Sequence, residues 1–456
     1  MNIKTPKKTI FFSIEIAARE LDSKCLLALE TAQRGFRVYI GSFRALKRVG
    51  KPIKSCIFFH KSSWSSENVK RVVGKLGGKF VFLNEELGVA IPRSKLDYLI
   101  TWSYSNLKPD DYSDIFALGD FQKSQMEALP NLAGINVHAT GWPRFDLWRD
   151  EFLEFHSIES KKIKKQHGDF YLLVSSFGAI SESSLDECAK IGEKLNIQEY
   201  DISKFKYQEF KKCLKLVDEL SKKLYSNEKI IVRPHTSESI DRWHDLLSEY
   251  DNVIVCHEGD ISPWLLASTG TIQFGSTVAI QAAYMGIPSI QHSVIDVPGA
   301  TDTPAYEILD QVSSAEEMLQ NLRREQSVNP RILRQKAIDR LGKYVANLDG
   351  KLASEAIADE LEQIHVTPQQ PVQFGLTRRA IFRLKEAINY LNYLKKKKFK
   401  NESGRVKRSK FEKIPGGLRH KEIENRLKRL AEIRGYAPEK VRCRQVAHNL
   451  VEFEME

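Results

Sequence analysis

Short apolar runs alternate with helix-like stretches along the chain. In its first third the apolar runs are TIFFSIEI, RVYIGS, SCIFFH, KFVFLN, YLITWS and DIFALG. The first intervening helix is predicted from Leu21 to Arg34, where Gly35 ends it. A second series follows, with the runs FYLLVSS, IIVRP, NVIVCH, TIQFGS and PSIQHS. Runs that are apolar throughout are typical of parallel strands covered on both faces, joined by crossovers of about a dozen residues. The pattern predicts an α/β protein with two Rossmann-like domains.

The polar segment EFHSIESKKIKKQHGDF separates the two series of strands. We predict a first Rossmann-like domain over residues 1–150, a linker over 151–168, a second Rossmann-like domain over 169–365 and a basic helical extension over 366–456. Asp146, within the aromatic stretch GWPRFDLW, is interpreted as a hinge residue that holds the two halves together.

Polar and small residues follow the predicted strands of the second half. In open parallel sheets, ligands bind beyond the carboxyl ends of the strands, where helices begin. Small residues let a phosphate approach the backbone, and arginine or histidine adds charge-assisted hydrogen bonds. Four strand ends together predict a pocket for a nucleotide phosphate; they are Ser175 to Gly178, Arg233 to His235, His257 to Gly259 and Gly275 to Thr277. The sequence contains neither a Walker motif nor G-x-G-x-x-G, which argues against ATP hydrolysis and dinucleotide redox chemistry.

The net charge of +11 is similar to that of many nucleic-acid-binding proteins, but the excess of basic residues is confined to one segment of the chain. Between Arg378 and Arg434 there are 20 Lys and Arg against 6 Glu, a net charge of +14, so the rest of the chain carries −3. Aromatic residues are sparse among these basic residues, and binding of nucleic acid is therefore not expected.

Six cysteines are scattered without a C-x-x-C pair, so the sequence predicts neither a zinc site nor a disulfide framework. This use of cysteine favours a reducing, cytoplasmic environment. Charged residues interrupt the apolar run near the amino terminus, and we interpret that run as a strand of the mature protein.

Several stretches together resemble the bacterial surface carbohydrate biosynthesis proteins, which are related to GT-B glycosyltransferases of capsule and lipopolysaccharide assembly. They lie in the matching order over roughly residues 10 to 300 and are ARELDSKCLLALETAQRGFRVYIGS, LNEELGVAI, ATGWPRFDLWR, YLLVSSFG, IIVRPHTSE, ISPWLLAS and FGSTVAIQAAYMGIPSI. The resemblance implies a GT-B-like fold and a glycosyltransferase that uses a nucleotide-activated sugar.

The RPH and GST turns are similar to the His-Pro and Ser-Thr motifs by which CMP-sugar transferases, for sialic acid and for Kdo, hold the nucleotide phosphate. Here Pro234 precedes His235, and Thr236 stands where the family has a second proline. The resemblance implies CMP-Kdo or a related keto acid as donor. The residues expected at the donor are Ser176, Phe177, Gly178, Arg233, His235, Glu258, Gly275, Ser276 and Thr277. The alternatives are that Arg233 and His235 cap a helix or pair with Glu238, that Glu258 lies in a solvent-facing loop, and that Ser276 caps the following helix.

Catalysis requires a carboxylate or imidazole near the anomeric carbon, and the first half is expected to supply it and to receive the acceptor. Glu85 and Glu86 directly follow the strand KFVFLN and are the leading candidates. Asp22, at the start of the first helix, is a further candidate, with a role as a charge that favours the helix terminus as the alternative. No D-x-D motif follows a predicted strand, so no metal or other cofactor is expected.

The basic C-terminal segment has two interpretations. Apolar residues at helical spacing, Ile381, Leu384, Ile388, Leu391 and Leu394, precede four consecutive lysines. This pattern suits an anionic membrane surface, reached through residues 378–434, on the inner face of the plasma membrane. Alternatively, the apolar stripe packs on the body of the protein and the lysines are solvated.

Three classes of function remain open at the level of sequence. The first is transfer of a nucleotide-activated sugar to a saccharide or lipid-linked acceptor in surface polysaccharide biosynthesis. The second is a CDP-polyol phosphotransferase-like reaction, whose phosphate pocket would look similar. The third is a non-catalytic factor that binds a polysaccharide precursor.

Overall fold

A computed structural model describes most of the 456 residues and shows two parallel β-sheets covered by helices. The described residues are 6–49, 55–63, 67–68, 71, 77–85, 103–105, 107–108, 110, 112–178, 200–235, 238–292, 303–371, 375–399 and 413–456. Glu86, Thr236 and most of the predicted strand YLITWS lie outside them. The two sheets confirm the predicted fold class, α/β with two Rossmann-like domains.

The first sheet has the strand order β13-β14-β2-β1-β3-β4-β5-β6. Its strands are β1 (Thr9–Ser13), β2 (Arg37–Gly41), β3 (Cys56–His60), β4 (Gly78–Leu83), β5 (Asp114–Ala117), β6 (Asn136–Ala139), β13 (Val441–Ala447) and β14 (Leu450–Met455). Strands β1 to β6 are parallel, and β14 joins the edge of β2 in the antiparallel direction. The side chains of β1 and β2 are buried along both strands, as expected for a sheet covered on both faces.

The second sheet is parallel throughout and has the order β12-β11-β10-β7-β8-β9. Its strands are β7 (Asp169–Val174), β8 (Glu228–Arg233), β9 (Val253–Val255), β10 (Gly270–Gln273), β11 (Ser289–His292) and β12 (Gln311–Val312). The chain builds one side of β7 with β8 and β9 and then crosses to the other side with β10. The switch point of this sheet therefore lies between β7 and β10, and the carboxyl ends of the strands at such a point are where open parallel sheets bind ligands.

The helices cover these sheets and connect the domains. They are α1 (Ala17–Gln33), α2 (Phe43–Val49), α3 (Asp120–Glu127), α4 (Pro143–Asp146), α5 (Ser157–His167), α6 (Tyr200–Ser221), α7 (Ile240–Leu247), α8 (Ser262–Ala267), α9 (Val278–Tyr284), α10 (Pro304–Glu307), α11 (Ala315–Glu325), α12 (Pro330–Leu341), α13 (Ala353–Gln363), α14 (Leu376–Phe399) and α15 (His420–Ile433). Helix α1 begins four residues before the predicted start. The Glu20 carboxylate accepts a hydrogen bond from the Glu15 amide at 2.7 Å, which stabilises the earlier turn.

The connection between the domains is fixed by Asp146, whose side chain is fully buried. Its carboxylate accepts hydrogen bonds from the Ala353 amide at 2.9 Å and from the amide and hydroxyl of Ser354 at 2.8 and 2.7 Å. These donors lie at the amino terminus of α13, where the chain returns from the second domain and packs on α1. Burial raises the pKa of Asp146 to about 6, and the three donors oppose the rise. These contacts show that Asp146 joins α4 to α13, and its interpretation as a hinge residue stays a prediction.

The segment after residue 366 is not wholly helical, which corrects the expectation of a helical extension. Helices α14 and α15 form, but β13 and β14 fold back as a hairpin onto the first sheet. Leu450, Val451 and Phe453 are fully buried there. The strands were missed because charged residues alternate with apolar ones in VRCRQVA and LVEFEM, and the apolar positions find their cover only against the sheet. The protein therefore needs its last residues to complete a core.

Candidate functional site

The carboxyl ends of β7, β8, β9 and β10 form one edge of the second sheet, and the predicted donor residues lie along it. The loop after β7 contains Ser176, Phe177 and Gly178, and the loop after β10 contains Gly275, Ser276 and Thr277. Both loops border the switch point between β7 and β10. The sequence therefore located this edge correctly, although the contacts of individual residues differ from expectation.

Glu238 organises the loop after β7. Its buried carboxylate accepts hydrogen bonds from the Ser175 hydroxyl at 2.6 Å, the Phe177 amide at 2.8 Å, the Gly178 amide at 3.0 Å and the Trp243 indole at 2.9 Å. Burial raises the pKa of Glu238, and these four donors oppose the rise. Both amides already donate to Glu238, so a phosphate could accept from them only if the carboxylate moved. The Phe177 ring lies in the core, which is a different role from the predicted donor contact.

The strand end at Arg233 is also held by internal contacts. The Arg233 guanidinium donates to the carbonyl oxygens of Glu258 at 2.8 Å and Gly259 at 2.6 Å, and it lies 5.4 Å from the centroid of the Trp264 ring. These contacts join the end of β8 to the loop after β9. Arg233 shapes this edge of the site, and a direct contact with a phosphate stays a prediction.

The side chain of His235 is exposed at the same edge, one residue after the buried Pro234. The amide of His235 donates to the Ser175 hydroxyl at 3.2 Å, which ties the loops after β7 and β8 together. Helix α7 begins at Ile240, where the side chain of Ser239 accepts a hydrogen bond from the Arg242 amide and caps the helix. The chain turns before α7 because Glu238 points into the loop after β7.

The loop after β10 makes a tight turn at Gly275, whose φ of +67° is one that residues with side chains rarely adopt. A Cβ atom there would lie 2.2 Å from the ring of Tyr306, so the position accepts only glycine. The Ser276 hydroxyl accepts a hydrogen bond from the Val278 amide at 3.2 Å, but the N-cap residue of α9 is Thr277, one position later than the capping interpretation placed it. The side chain of Thr277 is exposed.

Glu258 lies in the loop after β9 and its side chain is exposed, which agrees with the solvent-facing alternative. Its carbonyl oxygen has the structural role, because it accepts from both Arg233 and the Trp264 indole. A contact between the Glu258 carboxylate and a ligand stays a prediction.

Lys206 is a largely buried cation near this edge that the strand-end reasoning missed. Its ammonium lies 3.3 Å from the Tyr306 hydroxyl and 3.4 Å from Glu209, and Tyr306 donates to Glu209 at 2.6 Å. Burial lowers the pKa of Lys206, while the Glu209 carboxylate opposes the change. Lys206, Glu209 and Tyr306 lie next to the turn at Gly275, because the Tyr306 ring packs against that glycine. Lys206 lies within helix α6 and follows no strand, so no pattern in the sequence predicted its place at the site.

In the first domain, Glu85 forms a buried ion pair with Lys24 of α1. Lys24 is fully buried and lies 4.8 Å from the centroid of the Phe59 ring. Burial by itself would raise the pKa of Glu85, but Lys24 and the nearby Arg144 lower it overall. One oxygen of Glu85, Oε2, is buried without a hydrogen-bond partner. The carboxylate is therefore ionised and held in place, which suits an electrostatic role better than proton abstraction.

Asp22 occupies a different environment, between the two domains. Its carboxylate accepts a hydrogen bond from Nε of Arg426 in α15 at 2.8 Å, and a quarter of the side chain is exposed. Burial raises the pKa of Asp22, Arg426 opposes the rise, and Asp260 of the second domain adds to it. Asp260 lies in the loop after β9, so this loop of the second domain comes near Asp22. Asp22 is thus a partly exposed carboxylate with a raised pKa, and its role as a catalytic residue stays a prediction.

Within the described residues, no group of three or more His, Cys, Asp or Glu side chains is arranged to hold a metal ion. The expectation of a metal-independent reaction stays a prediction.

No protein-family model and no curated protein matches the sequence. Solved structures with a similar course of the chain include the wall teichoic acid polymerase TagF, at 13% identity and a TM-score of 0.46 over 79% of this chain and 90% of that one. HepE from Anabaena, in complex with UDP and glucose, matches at 11% identity and a TM-score of 0.41 over 79% of this chain and all of that one. WaaG, a glycosyltransferase involved in lipopolysaccharide biosynthesis, matches at 14% identity and a TM-score of 0.38 over 77% and 98% of the two chains. The function must therefore be argued from the site.

Proposed function

We propose that this protein is a glycosyltransferase of bacterial surface polysaccharide biosynthesis that uses a nucleotide-activated sugar. The observation that carries the proposal is Asp22, a partly exposed carboxylate on the first domain that lies near Asp260, in the loop after β9 of the second domain. Ligands of open parallel sheets bind beyond the carboxyl ends of the strands, and this loop follows one of those ends.

The donor phosphate lies, in this proposal, at the loops after β7, β8 and β10. His235 and Thr277 are exposed there, and Lys206 supplies a positive charge beside the Gly275 turn. Positive charge placed before the reaction stabilises the negative charge that develops on the departing phosphate. We propose CMP-Kdo or a related keto-acid donor, because of the sequence resemblance in the RPH and GST turns.

In the reaction, a hydroxyl oxygen of the acceptor attacks the anomeric carbon of the sugar. The bond between that carbon and the phosphate oxygen breaks, the hydroxyl proton passes to Asp22, and CMP leaves with its phosphate. The buried Glu85 and Lys24 hold the wall of the first domain in place behind Asp22. The acceptor is a saccharide or a lipid-linked saccharide, and a lipid carrier would place the protein at the cytoplasmic surface of the plasma membrane.

A nucleotide-binding measurement tests the donor site. Calorimetry with CMP, UDP and GDP should show binding that is strongest for CMP and about tenfold weaker after His235→Ala, the loss expected for a charge-assisted contact. His244→Ala is the matched control, because His244 is an exposed histidine on α7. Failure to bind any of the nucleotides, or equal effects of the two variants, would overturn the proposed donor site.

Product analysis separates glycosyl transfer from CDP-polyol phosphotransfer. With CMP-Kdo and a saccharide acceptor, the product should contain no phosphorus, and CMP should be released. Incubation with a CDP-polyol that yields a phosphodiester, seen by phosphorus NMR, would assign the protein to the phosphotransferase class. Nucleotide binding with neither product would favour a non-catalytic factor.

A further inference from the structure

Helix α14, from Leu376 to Phe399, carries an apolar stripe that points away from the rest of the protein. Its residues have exposed fractions of 42% to 75%, and they are Leu376, Ile381, Leu384, Ile388, Leu391 and Leu394. The alternative interpretation, in which this stripe packs on the body, is therefore wrong. Burial of apolar surface stabilises folded proteins, so a stripe of this length marks a binding surface.

The opposite side of α14 fixes the orientation of the helix. Phe382 is 4% exposed and packs in the apolar cluster of the first sheet, and buried Glu386 pairs with Arg44 of α2 at 3.2 Å. Successive residues advance by about 100° around an α-helix. Leu384 and Leu391 therefore lie about 160° to 180° away from Phe382, and the stripe faces outward because the anchored side faces inward.

The charge on α14 agrees with an anionic partner. Glu386 is the only acidic residue in the sequence of this helix, and its pairing with Arg44 turns it toward the body. Arg383 and Lys385 flank the outward stripe on either side and are exposed, and the sequence continues with lysines at 395–398. The surface thus combines an apolar stripe with basic borders.

We propose that α14 binds the surface of an anionic membrane with its axis parallel to the bilayer. A helix of 24 residues extends about 36 Å, and its leucines and isoleucines enter the boundary between headgroups and acyl chains while the basic residues contact the headgroups. Among the residues the structure describes, no helix is long and apolar enough to cross a membrane, so α14 lies on the surface. This inference does not depend on the reaction that the protein catalyses.

Vesicle co-sedimentation of the full chain tests the proposal. The intact protein should sediment at low ionic strength with vesicles of phosphatidylglycerol and phosphatidylcholine, and much less with phosphatidylcholine alone. Binding should fall as salt is raised, because screening weakens the attraction of the basic residues. Absence of binding to the anionic vesicles at low salt would overturn the proposal.

Point variants identify the surface, since truncation before α14 would also remove α15 and the hairpin β13–β14. The double variant Leu384→Asp/Leu391→Asp should reduce partitioning more than tenfold, and Arg383→Gln/Lys385→Gln by about tenfold. Ile332→Asp is the control, because Ile332 on α12 is 63% exposed outside this stripe. Wild-type partitioning in the Leu384→Asp/Leu391→Asp variant would contradict the proposal. A second result would also contradict the proposal: sedimentation velocity could show that the wild-type protein is a dimer, that the Leu384→Asp/Leu391→Asp variant is a monomer, and that neither binds vesicles. The stripe would then be an interface between two copies of the chain.

Discussion

Asp22 and Arg426, 404 positions apart in the sequence, are joined by a hydrogen bond of 2.8 Å from the guanidinium Nε to the carboxylate. The pair joins α15, late in the chain, to α1 of the first domain. Arg426 lowers the pKa of Asp22 against the larger effect of burial. The C-terminal part of the chain therefore adjusts the proton affinity of the candidate base.

The first prediction concerns the pH dependence of turnover. A general base must be deprotonated, so activity should fall as the pH drops through the pKa of Asp22, which lies above the ordinary value of 3.8. Arg426→Gln removes the charge that lowers this pKa and should move the acid limb of kcat to higher pH. Glu422→Gln, which removes the other carboxylate paired with Arg426, should move it little. Asp22→Asn should abolish turnover with the nucleotide still bound, and full activity of that variant would assign the base elsewhere.

The second prediction concerns the buried pair of Lys24 and Glu85. Lys24→Met leaves a buried carboxylate without its partner and should lower the free energy of unfolding by about 3–5 kcal/mol. The double variant Lys24→Met/Glu85→Leu should recover much of this loss, because no unpaired charge remains. Urea denaturation gives the stabilities. If the double variant is stable but inactive, Glu85 itself takes part in the reaction, whereas retained activity would restrict it to a structural role.

The third prediction concerns Glu238, which binds four donors of the loop after β7 and of α7. In Glu238→Gln, one oxygen becomes an NH₂ group that faces hydrogen-bond donors, so the loop should lose its fixed position. We expect a loss of about 2 kcal/mol in stability and weaker nucleotide binding in calorimetry. Glu249→Gln, at an exposed position beyond α7, serves as the control. Unchanged nucleotide affinity in Glu238→Gln would remove this loop from the donor site.

The fourth prediction concerns the hinge at Asp146. Asp146→Asn places an amide group against the donors of Ser354 and should lower the free energy of unfolding by about 2–4 kcal/mol. Asp150→Asn, whose carboxylate is 42% exposed and pairs with Arg334, should cost less than about 1 kcal/mol.

The pH dependence of stability checks the same residue. Because the pKa of Asp146 in the folded protein is about 6, above the ordinary 3.8, its proton binding stabilises the fold below about pH 4. That contribution is lost as the pH rises through 6, so the wild-type advantage over Asp146→Asn should shrink between pH 5 and pH 7. An advantage that instead grows over this range would contradict the raised pKa.

The fifth prediction concerns the C-terminal hairpin. Phe453 of β14 is fully buried in the core of the first domain, and Phe453→Ala should cost about 3–5 kcal/mol because it leaves a cavity. Arg442→Ala on β13 should have little effect, since that side chain is half exposed and its ion pair with Glu456 lies at the surface. Thermal denaturation of the two variants makes the comparison. Equal melting temperatures would show that the hairpin contributes little to stability.

The sequence alone determined most of the buried parallel strands, the two-domain fold and the edge where ligands are expected. Runs such as TIFFSIEI and IIVRP are apolar at every position, and the local pattern over five to eight residues is enough to specify a buried parallel strand. The packing around Asp146 could be predicted for a similar reason, because the aromatic residues around it mark a packed bend within a short stretch.

Only the tertiary structure decided which polar groups at that edge already make hydrogen bonds within the protein and which are exposed to solvent. Glu238 binds the loop after β7, 60 residues earlier, and Arg426 reaches Asp22 from the far end of the chain. Likewise, α14 shows its apolar stripe to solvent because Phe382 and Glu386 anchor the other side. Hydrophobic periodicity shows that a residue can be buried, but it does not show which residues it packs against. Contacts between residues far apart in the chain depend on how the sheets and helices pack, which local patterns do not encode.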